Sequence, residues 1–492
     1  MNKRVKLEQL ATGIRGLDDV LGGGIPELSF NLIVGGVGAG KTTLAHQIMF
    51  ALATPERQAL YITALGESPL KMLRYQQQFS FFDAAKLSTS VRYLHAGDEL
   101  MKTGVEAVLT RILAEVEATN PRFVFVDSFR ELAHRSRDAE QTRLSSFVER
   151  LSIHLTTWEA TTFLVGECEE RGAELTAIFT VADGILWLSQ VVSRNSVVRK
   201  LRIVKLRGQA AIPGLHTMKL SESGVRVYPR LPRPPPPASE AREPQPRRRT
   251  GVSGLDDMLG GGIPAGYSVM IVGPSGSGKT VLSTQFVREG IRGGERCVIA
   301  VFEKRPEHYL TMVHSAPELQ RHVTDGLLTM LYLRPLDLSV DETMEELAEA
   351  VKATGATRVV IDSLMGFELA LAQSFREDFR ESLYRMVGGL VGLGVTVMMT
   401  AELDESYTDL RLSPHEISFL TDGIILQRYV EITGQLRKVI AVVKMRGYDH
   451  QKDLRFYDIG PDGIVIGEPA ADYQGLLVGR AQRVSSHSGE PS

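Results

Sequence analysis

Cysteine is scarce in this chain of 492 residues: Cys168 and Cys297 are the whole supply. Two thiols cannot build a disulfide framework or a four-ligand zinc cage, so both are expected as reduced core side chains. Long hydrophobic runs are missing as well, and none approaches the ~18 residues that a membrane span needs. The opening MNKRVKLEQLATG carries basic residues with no apolar stretch behind them, so it does not read as a secretory signal. The expectation is a cytoplasmic protein without a membrane partner. Neither sign of charge dominates, since 56 Lys and Arg against 59 Asp and Glu leave a net charge of −3. Whole-molecule attraction to nucleic acid is therefore absent, and only a local basic channel could replace it. Hydrophobic residues at 43% and charged residues at 23% are ordinary for a globular protein and exclude a largely disordered or fibrous chain. At roughly 100–200 residues per domain, the length allows two to four domains.

What the chain does have is a copy of itself. Residues 12–26 read TGIRGLDDVLGGGIP, and residues 250–264 read TGVSGLDDMLGGGIP, at an offset of 238. Lys41 and Lys279 share that offset. Asp127 and Asp362, Asp183 and Asp422, and Lys205 and Lys444 recur at nearly the same one. Landmarks in one order at one offset mean a duplicated domain, not a short-period solenoid. The expected organisation is a first domain over 1–228, a linker over 229–249, a second domain over 250–470 and a tail over 471–492. The linker holds eight of the 22 prolines. Proline fixes φ and lacks a donor, so this stretch is expected to join neither helix nor sheet and to act as a semi-rigid spacer.

Within each half, apolar runs alternate with helical patterns. NLIVGG (31–36), ALYITAL (59–65), FVFVDS (123–128) and TTFLVGE (161–167) read as buried strands. So do SVMIVG (268–273), CVIAVFE (297–303), RVVIDS (358–363) and VTVMMTAE (395–402). Near-continuous apolar strands separated by helices predict an α/β fold with a mostly parallel sheet covered on both faces. The runs 198–206 and 436–445 are expected as hairpin additions at a sheet edge.

Two segments carry the chemistry. Gly35, Gly36, Val37, Gly38, Ala39, Gly40, Lys41 and Thr42 match G-x-x-x-x-G-K-[ST], followed by Thr43. Gly273, Pro274, Ser275, Gly276, Ser277, Gly278, Lys279 and Thr280 match it again, followed by Val281. Each follows a predicted strand and opens a predicted helix, the context in which this pattern cradles phosphates. Glycine lets the backbone N–H groups turn inward, and the helix N-terminus adds its dipole. Lys41 and Lys279 are expected on the β- and γ-phosphates of ATP, and Thr42 and Thr280 on Mg²⁺. Asp127 and Asp362, ending apolar strands, suit a hold on the same ion. Hydrolysis further needs a group that orients or deprotonates water. Glu303, directly after its strand, is the candidate in the second domain, and Glu67, after Gly66, in the first.

The combination of TG-x-x-GLDD-x-LGGG-x-P, two phosphate loops, VDS and IDS, and K-[LM]-R-G near each domain end resembles the KaiC family of RecA-like ATPases over about residues 8–470. The resemblance implies two tandem RecA-like P-loop domains, a homohexamer of two stacked rings, and ATP between adjacent subunits. It implies that Lys205, Arg207, Lys444 and Arg446 reach a neighbour's γ-phosphate. The family's Glu-Glu pair after the second strand is altered here to Gly66-Glu67 and to Glu303-Lys304, which puts hydrolysis by the first domain in more doubt than its ATP binding. EISFLTD keeps a serine, Ser418, where the clock proteins autophosphorylate, but Phe419 replaces the neighbouring threonine. A two-site phosphorylation cycle is thereby excluded, and a one-site serine autokinase is left open. The resemblance leaves room for a KaiB-like partner, whereas the tail does not resemble the one that recruits KaiA.

Two other readings compete. A DNA-dependent RecA-like motor needs basic, aromatic loops facing a channel. Residues 130–143 hold four arginines but 364–374 little that is basic, so nucleic acid is not the expected partner. A non-catalytic ATP-sensing scaffold would fit the altered positions around Glu67 and Lys304.

Overall fold

The computed structural model describes residues 8–63, 69–97, 105–129, 140–168, 176–193, 196–230, 245–311, 316–333, 339–371, 379–403, 421–476 and 482–483. The chain divides into two compact units, Met1–Arg230 and Leu231–Ser492.

The first unit contains strands β1 (Phe30–Gly35), β2 (Ala59–Thr63), β3 (Val91–His95), β4 (Phe123–Asp127), β5 (Thr161–Glu167), β6 (Gly184–Ser193), β7 (Ser196–Leu206), β8 (His216–Ser221) and β9 (Gly224–Tyr228). They form one nine-stranded sheet in the order β3-β2-β4-β5-β1-β6-β7-β8-β9. The pairs from β3 to β6 are parallel, and β7, β8 and β9 continue as an antiparallel meander. The second unit repeats this with β10 (Ser268–Gly273), β11 (Cys297–Val301), β12 (Leu328–Tyr332), β13 (Arg358–Asp362), β14 (Thr396–Glu402), β15 (Gly423–Ile432), β16 (Gln435–Met445), β17 (Arg455–Gly460) and β18 (Gly463–Pro469), in the same order. Tandem RecA-like domains are thus the architecture, as expected.

Covering helices explain the strands that are apolar at every position. Leu32 and Val34 of β1 enter one core cluster and Ile33 the other. Met270 and Val272 of β10 likewise face away from Val269 and Ile271. Successive side chains alternate faces, so a strand buried on both sides loses its polar half. The helix Lys41–Leu52 follows β1 and buries Leu44, Ala45, Ile48 and Met49; Lys279–Arg292 follows β10 and buries Leu282, Phe286, Val287 and Ile291.

Some of the repeated landmarks outside the phosphate loops, namely the TG and GLDD segments and the pair Asp183 and Asp422, are structural clamps. Thr12 donates to Asp18 Oδ1 from its backbone N (2.9 Å) and its hydroxyl (2.7 Å); Thr250 does the same to Asp256 at 2.7 and 2.8 Å. Asp183 Oδ2 accepts from Phe30 N at 3.0 Å and Asp422 Oδ2 from Ser268 N at 3.0 Å, pinning the entry of β1 and of β10.

One expectation changes. The linker's last arginines do join a sheet: Arg247–Arg248 pair with Ile263–Pro264, as Gln9–Leu10 pair with Ile25–Pro26. They lie beyond the last proline, so their N–H groups are available, and the second repeat begins earlier than its TG motif suggests. The start of the tail is ordered. Tyr473–Gln474 pair with Gln482–Arg483, Tyr473 packs edge-on to Phe456, and Leu476 is buried. Residues 231–244 and 484–492 lie outside the described residues.

Candidate nucleotide-binding sites

The loops Gly35–Thr42 and Gly273–Thr280 leave the carboxyl ends of the central strands β1 and β10, where open α/β sheets bind ligands. Their glycines answer to space as well as to dihedral angles. A Cβ on Gly273 would lie 2.6 Å from the Gln427 carbonyl oxygen, and Gly278 caps its helix at φ 99°. Gly40 does the same in the first unit at φ 98°. Lys41 Nζ donates to the Gly36 carbonyl at 2.7 Å, and Lys279 Nζ to those of Gly273 and Pro274, both at 2.8 Å. Burial lowers the Lys279 pKa, while Glu402 and Asp362 pull it back up.

The expected metal-site pairs meet. Thr42 Oγ1 donates to Asp127 Oδ2 at 2.8 Å, and Thr280 Oγ1 to Asp362 Oδ2 at 2.8 Å. In both units the peptide bond from the aspartate to the next serine is cis. Burial pushes the Asp127 pKa up; hydrogen bonds from Tyr61 and Thr42 and the charge of Lys41 oppose it. A hydroxyl and a carboxylate beside a phosphate cradle fit magnesium, which keeps waters and shares phosphate oxygens instead of being caged by protein. Among the described residues, no group of three or more His, Cys, Asp or Glu could hold a metal alone.

In the second unit these residues line a cleft of about 320 Å³ that also takes in Glu303, Lys304, Tyr309, Ser363 and Glu402. Glu303 is exposed to it and accepts from Ser363 Oγ at 3.2 Å. Its first-unit counterpart Glu67, the arginine-bearing segment 130–139 and Ser418 lie outside the described residues.

Lys205, Arg207, Lys444 and Arg446 are not brought to their own phosphate loops. Gly35 of β1 stands beside Leu188 of β6, and Lys205 of β7 stands beside Ile185, three residues back toward the entry of β6. At ~3.3 Å per residue this is about 10 Å in the wrong direction. Lys205 Nζ donates to the carbonyls of Phe179 (3.0 Å) and Thr180 (3.1 Å), and Lys444 Nζ to that of Thr421 (2.7 Å). Arg207 and Arg446 pair with Asp183 (3.0 Å) and Asp422 (3.4 Å) and stay about half exposed. Burial, then the adjacent arginine, lowers the pKa of both lysines.

Sequence reasoning missed several members of the sites. Tyr61 and Tyr309 donate to the two aspartates, and Thr400 donates to Asp362 Oδ1. Glu402 ends β14 beside Gly273, as Glu167 ends β5 beside Gly35. The glutamates carried a signal, since each closes an apolar strand at the same offset. The tyrosines carried none, because they occupy different places in the repeat.

A doubly wound sheet with a phosphate loop, a hydroxyl–carboxylate pair and a flanking glutamate defines a P-loop nucleotide-binding protein, present here twice. The profile of the KaiC ATPase family matches residues 10–232 and 248–471, and the chain belongs to that family. Among curated relatives, the circadian clock oscillator protein KaiC of Picosynechococcus sp. is 27% identical, covering 97% of this chain and 93% of that protein. KaiC 1 of Synechocystis sp. is 26% identical (98% and 93%), and the circadian clock protein KaiC3 of the same organism is 26% identical (96% and 94%). No helix among the described residues is long and apolar enough to cross a membrane.

Proposed function

We propose that this KaiC-family protein is a magnesium-dependent ATPase in which each domain, 1–228 and 250–470, binds ATP at its phosphate loop. The second hydrolyses it with Glu303 as the base. The observation that carries this reading is the single cleft uniting Lys279, Thr280, Asp362 and Glu303. Lys279 would exchange its loop carbonyls for phosphate oxygens. Thr280 and Asp362 would hold Mg²⁺, which when bound neutralises charge building on the phosphates. Glu303 accepts a proton from water as the water oxygen bonds to the γ-phosphorus and the bond to the bridging oxygen of ADP breaks.

The finer reading is a homohexamer in which Lys205 and Arg207, and Lys444 and Arg446, supply cations to the neighbour's nucleotide. Their place at the far end of the sheet from their own loops supports a role in trans. Ser418 is proposed as an acceptor of the same phosphoryl group: its oxygen bonds to phosphorus, ADP leaves, and the hydroxyl proton passes to a carboxylate. A clock-like or signalling output would follow from either nucleotide state or this modification.

Purified protein incubated with ATP and Mg²⁺ tests both levels. Glu303→Gln is expected to lower ADP release roughly 100-fold or more while nucleotide still binds, and peptide mass spectrometry should find phosphate on Ser418 that disappears in Lys279→Ala. Turnover unchanged by Glu303→Gln would remove that residue from the mechanism. ADP release without phosphopeptide would leave an ATPase that is not an autokinase.

A further inference from the structure

In both domains the metal-site aspartate is gripped by a buried phenol, and the two phenols come from unrelated places. Tyr61 lies in the middle of β2 and donates to Asp127 Oδ2 at 2.8 Å, the oxygen that also accepts from Thr42. Its ring is fixed by His46, Tyr93 and Phe125, with centroids at 4.2, 5.5 and 6.0 Å. By strand register the matching residue of β11 is Ile299, which has no hydroxyl to offer. The second domain reaches the same oxygen by another route. Tyr309, on the helix Pro306–Thr311, donates to Asp362 Oδ2 at 2.9 Å, beside the bond from Thr280. Three residues after the matching proline, Pro69, the first domain has Met72.

The grip also differs in number. Thr400 of β14 donates to Asp362 Oδ1, and the residue in that register of the first domain is Val165. One oxygen is therefore held in the first domain and both in the second, among the described residues. A carboxylate that must face an ion through a short-lived set of waters depends on its own hydrogen-bond partners for orientation.

We propose that Tyr61 and Tyr309 are positioning residues that orient Asp127 and Asp362 toward the nucleotide-bound magnesium, with Thr400 adding a second hold in the second domain only. This rests on reading both sites as magnesium–nucleotide sites. It predicts unequal dependence on the phenol: the first domain loses half its hydroxyl donors with Tyr61, whereas the second keeps Thr280 and Thr400 without Tyr309.

The test uses the full chain, with Lys279→Ala isolating the first site and Lys41→Ala the second. The Mg²⁺ concentration for half-maximal binding of a fluorescent ATP analogue is measured beside the melting temperature without nucleotide. Tyr61→Phe should raise that concentration roughly tenfold. Tyr309→Phe should raise it less, and Tyr309→Phe with Thr400→Val should match Tyr61→Phe. Val165→Thr should restore part of the loss in Tyr61→Phe, a rescue that a packing role would not produce. An unchanged Mg²⁺ requirement in Tyr61→Phe, whatever its melting temperature, overturns the inference and leaves the nucleotide sites standing. Binding by the unsubstituted sites that ignores Mg²⁺ overturns both.

Discussion

Asp127, proposed to hold magnesium, works against the fold that holds it. Burial raises its pKa, so the folded domain binds its proton more readily than the unfolded chain does. The ionised form therefore lowers stability at neutral pH, and the penalty is relieved as pH falls through the raised folded value. Asp127→Asn is expected to raise the melting temperature of the first domain at pH 7. The gain should shrink under acid, and the magnesium-dependent tightening of nucleotide should disappear. Scanning calorimetry with and without Mg-ATP reads all three. Gly366 acts in the opposite sense, as a residue that leaves room. A Cβ there would fall 2.7 Å from Glu303 Oε1, the mobile end of a side chain and not backbone. Gly366→Ala should leave stability within about 0.5 kcal/mol, yet displace the proposed base Glu303 and lower kcat by up to about 100-fold. Equal losses in kcat and melting temperature would contradict that separation.

Among the elements, β13 is tied down at its start by a buried cation. Arg358 donates to Glu295 through Nε (3.1 Å) and Nη2 (2.8 Å), and through Nη1 to the carbonyls of Arg249 (2.7 Å) and Phe286 (2.8 Å). One side chain thus joins β13, the Lys279–Arg292 helix and the chain entering the domain. Arg358→Ala should cost the second domain about 1.5–3 kcal/mol, because two carbonyls lose a donor and Glu295 keeps only Arg248 (2.9 Å) and Thr357 (2.6 Å). Burial works to raise the Glu295 pKa, but the hydrogen bonds from Arg358 and Thr357 and the charges of Arg358 and Arg248 outweigh it, and the net direction is down. Its contribution is therefore full above the ordinary carboxylate range and lost as pH falls through the depressed folded value. Chemical denaturation between pH 7 and pH 3 should show the gap between wild type and Arg358→Ala closing under acid.

This level was also the most legible in the sequence. TTFLVGE and SVMIVG read as strands with the limits observed, because a strand buried on both faces leaves an unbroken apolar run. The loop lysines, the two threonines and the two aspartates stood out because the phosphate-and-magnesium site proposed for them restricts which residue types can serve, and the structure brings each threonine to its aspartate. Arg247 and Arg248 were misread, since prolines colour their surroundings without governing residues beyond the last one. Tyr61, Tyr309 and Thr400 were invisible because a hydroxyl that meets a carboxylate from another strand or helix leaves no spacing rule along the chain.

For the whole molecule, the role in trans proposed for Lys205, Arg207, Lys444 and Arg446 sets the expectation. Sites completed by a neighbour should couple assembly to nucleotide, so ATP with Mg²⁺ should raise the mass measured by light scattering to six chains. The double variant Lys41→Ala with Lys279→Ala should stay below that mass. A protein monomeric at micromolar concentration with saturating ATP would contradict the ring.

The two routes by which a phenol reaches its aspartate bear on how the halves can be exchanged. A chimera that grafts residues 59–63 over 297–301 would set two phenols competing for one oxygen of Asp362. The reverse graft would leave Asp127 with Thr42 alone. Swaps made column by column along the repeat would thus break the sites while preserving every motif that defines them, and interchangeable parts would have to be cut as strand and following helix together.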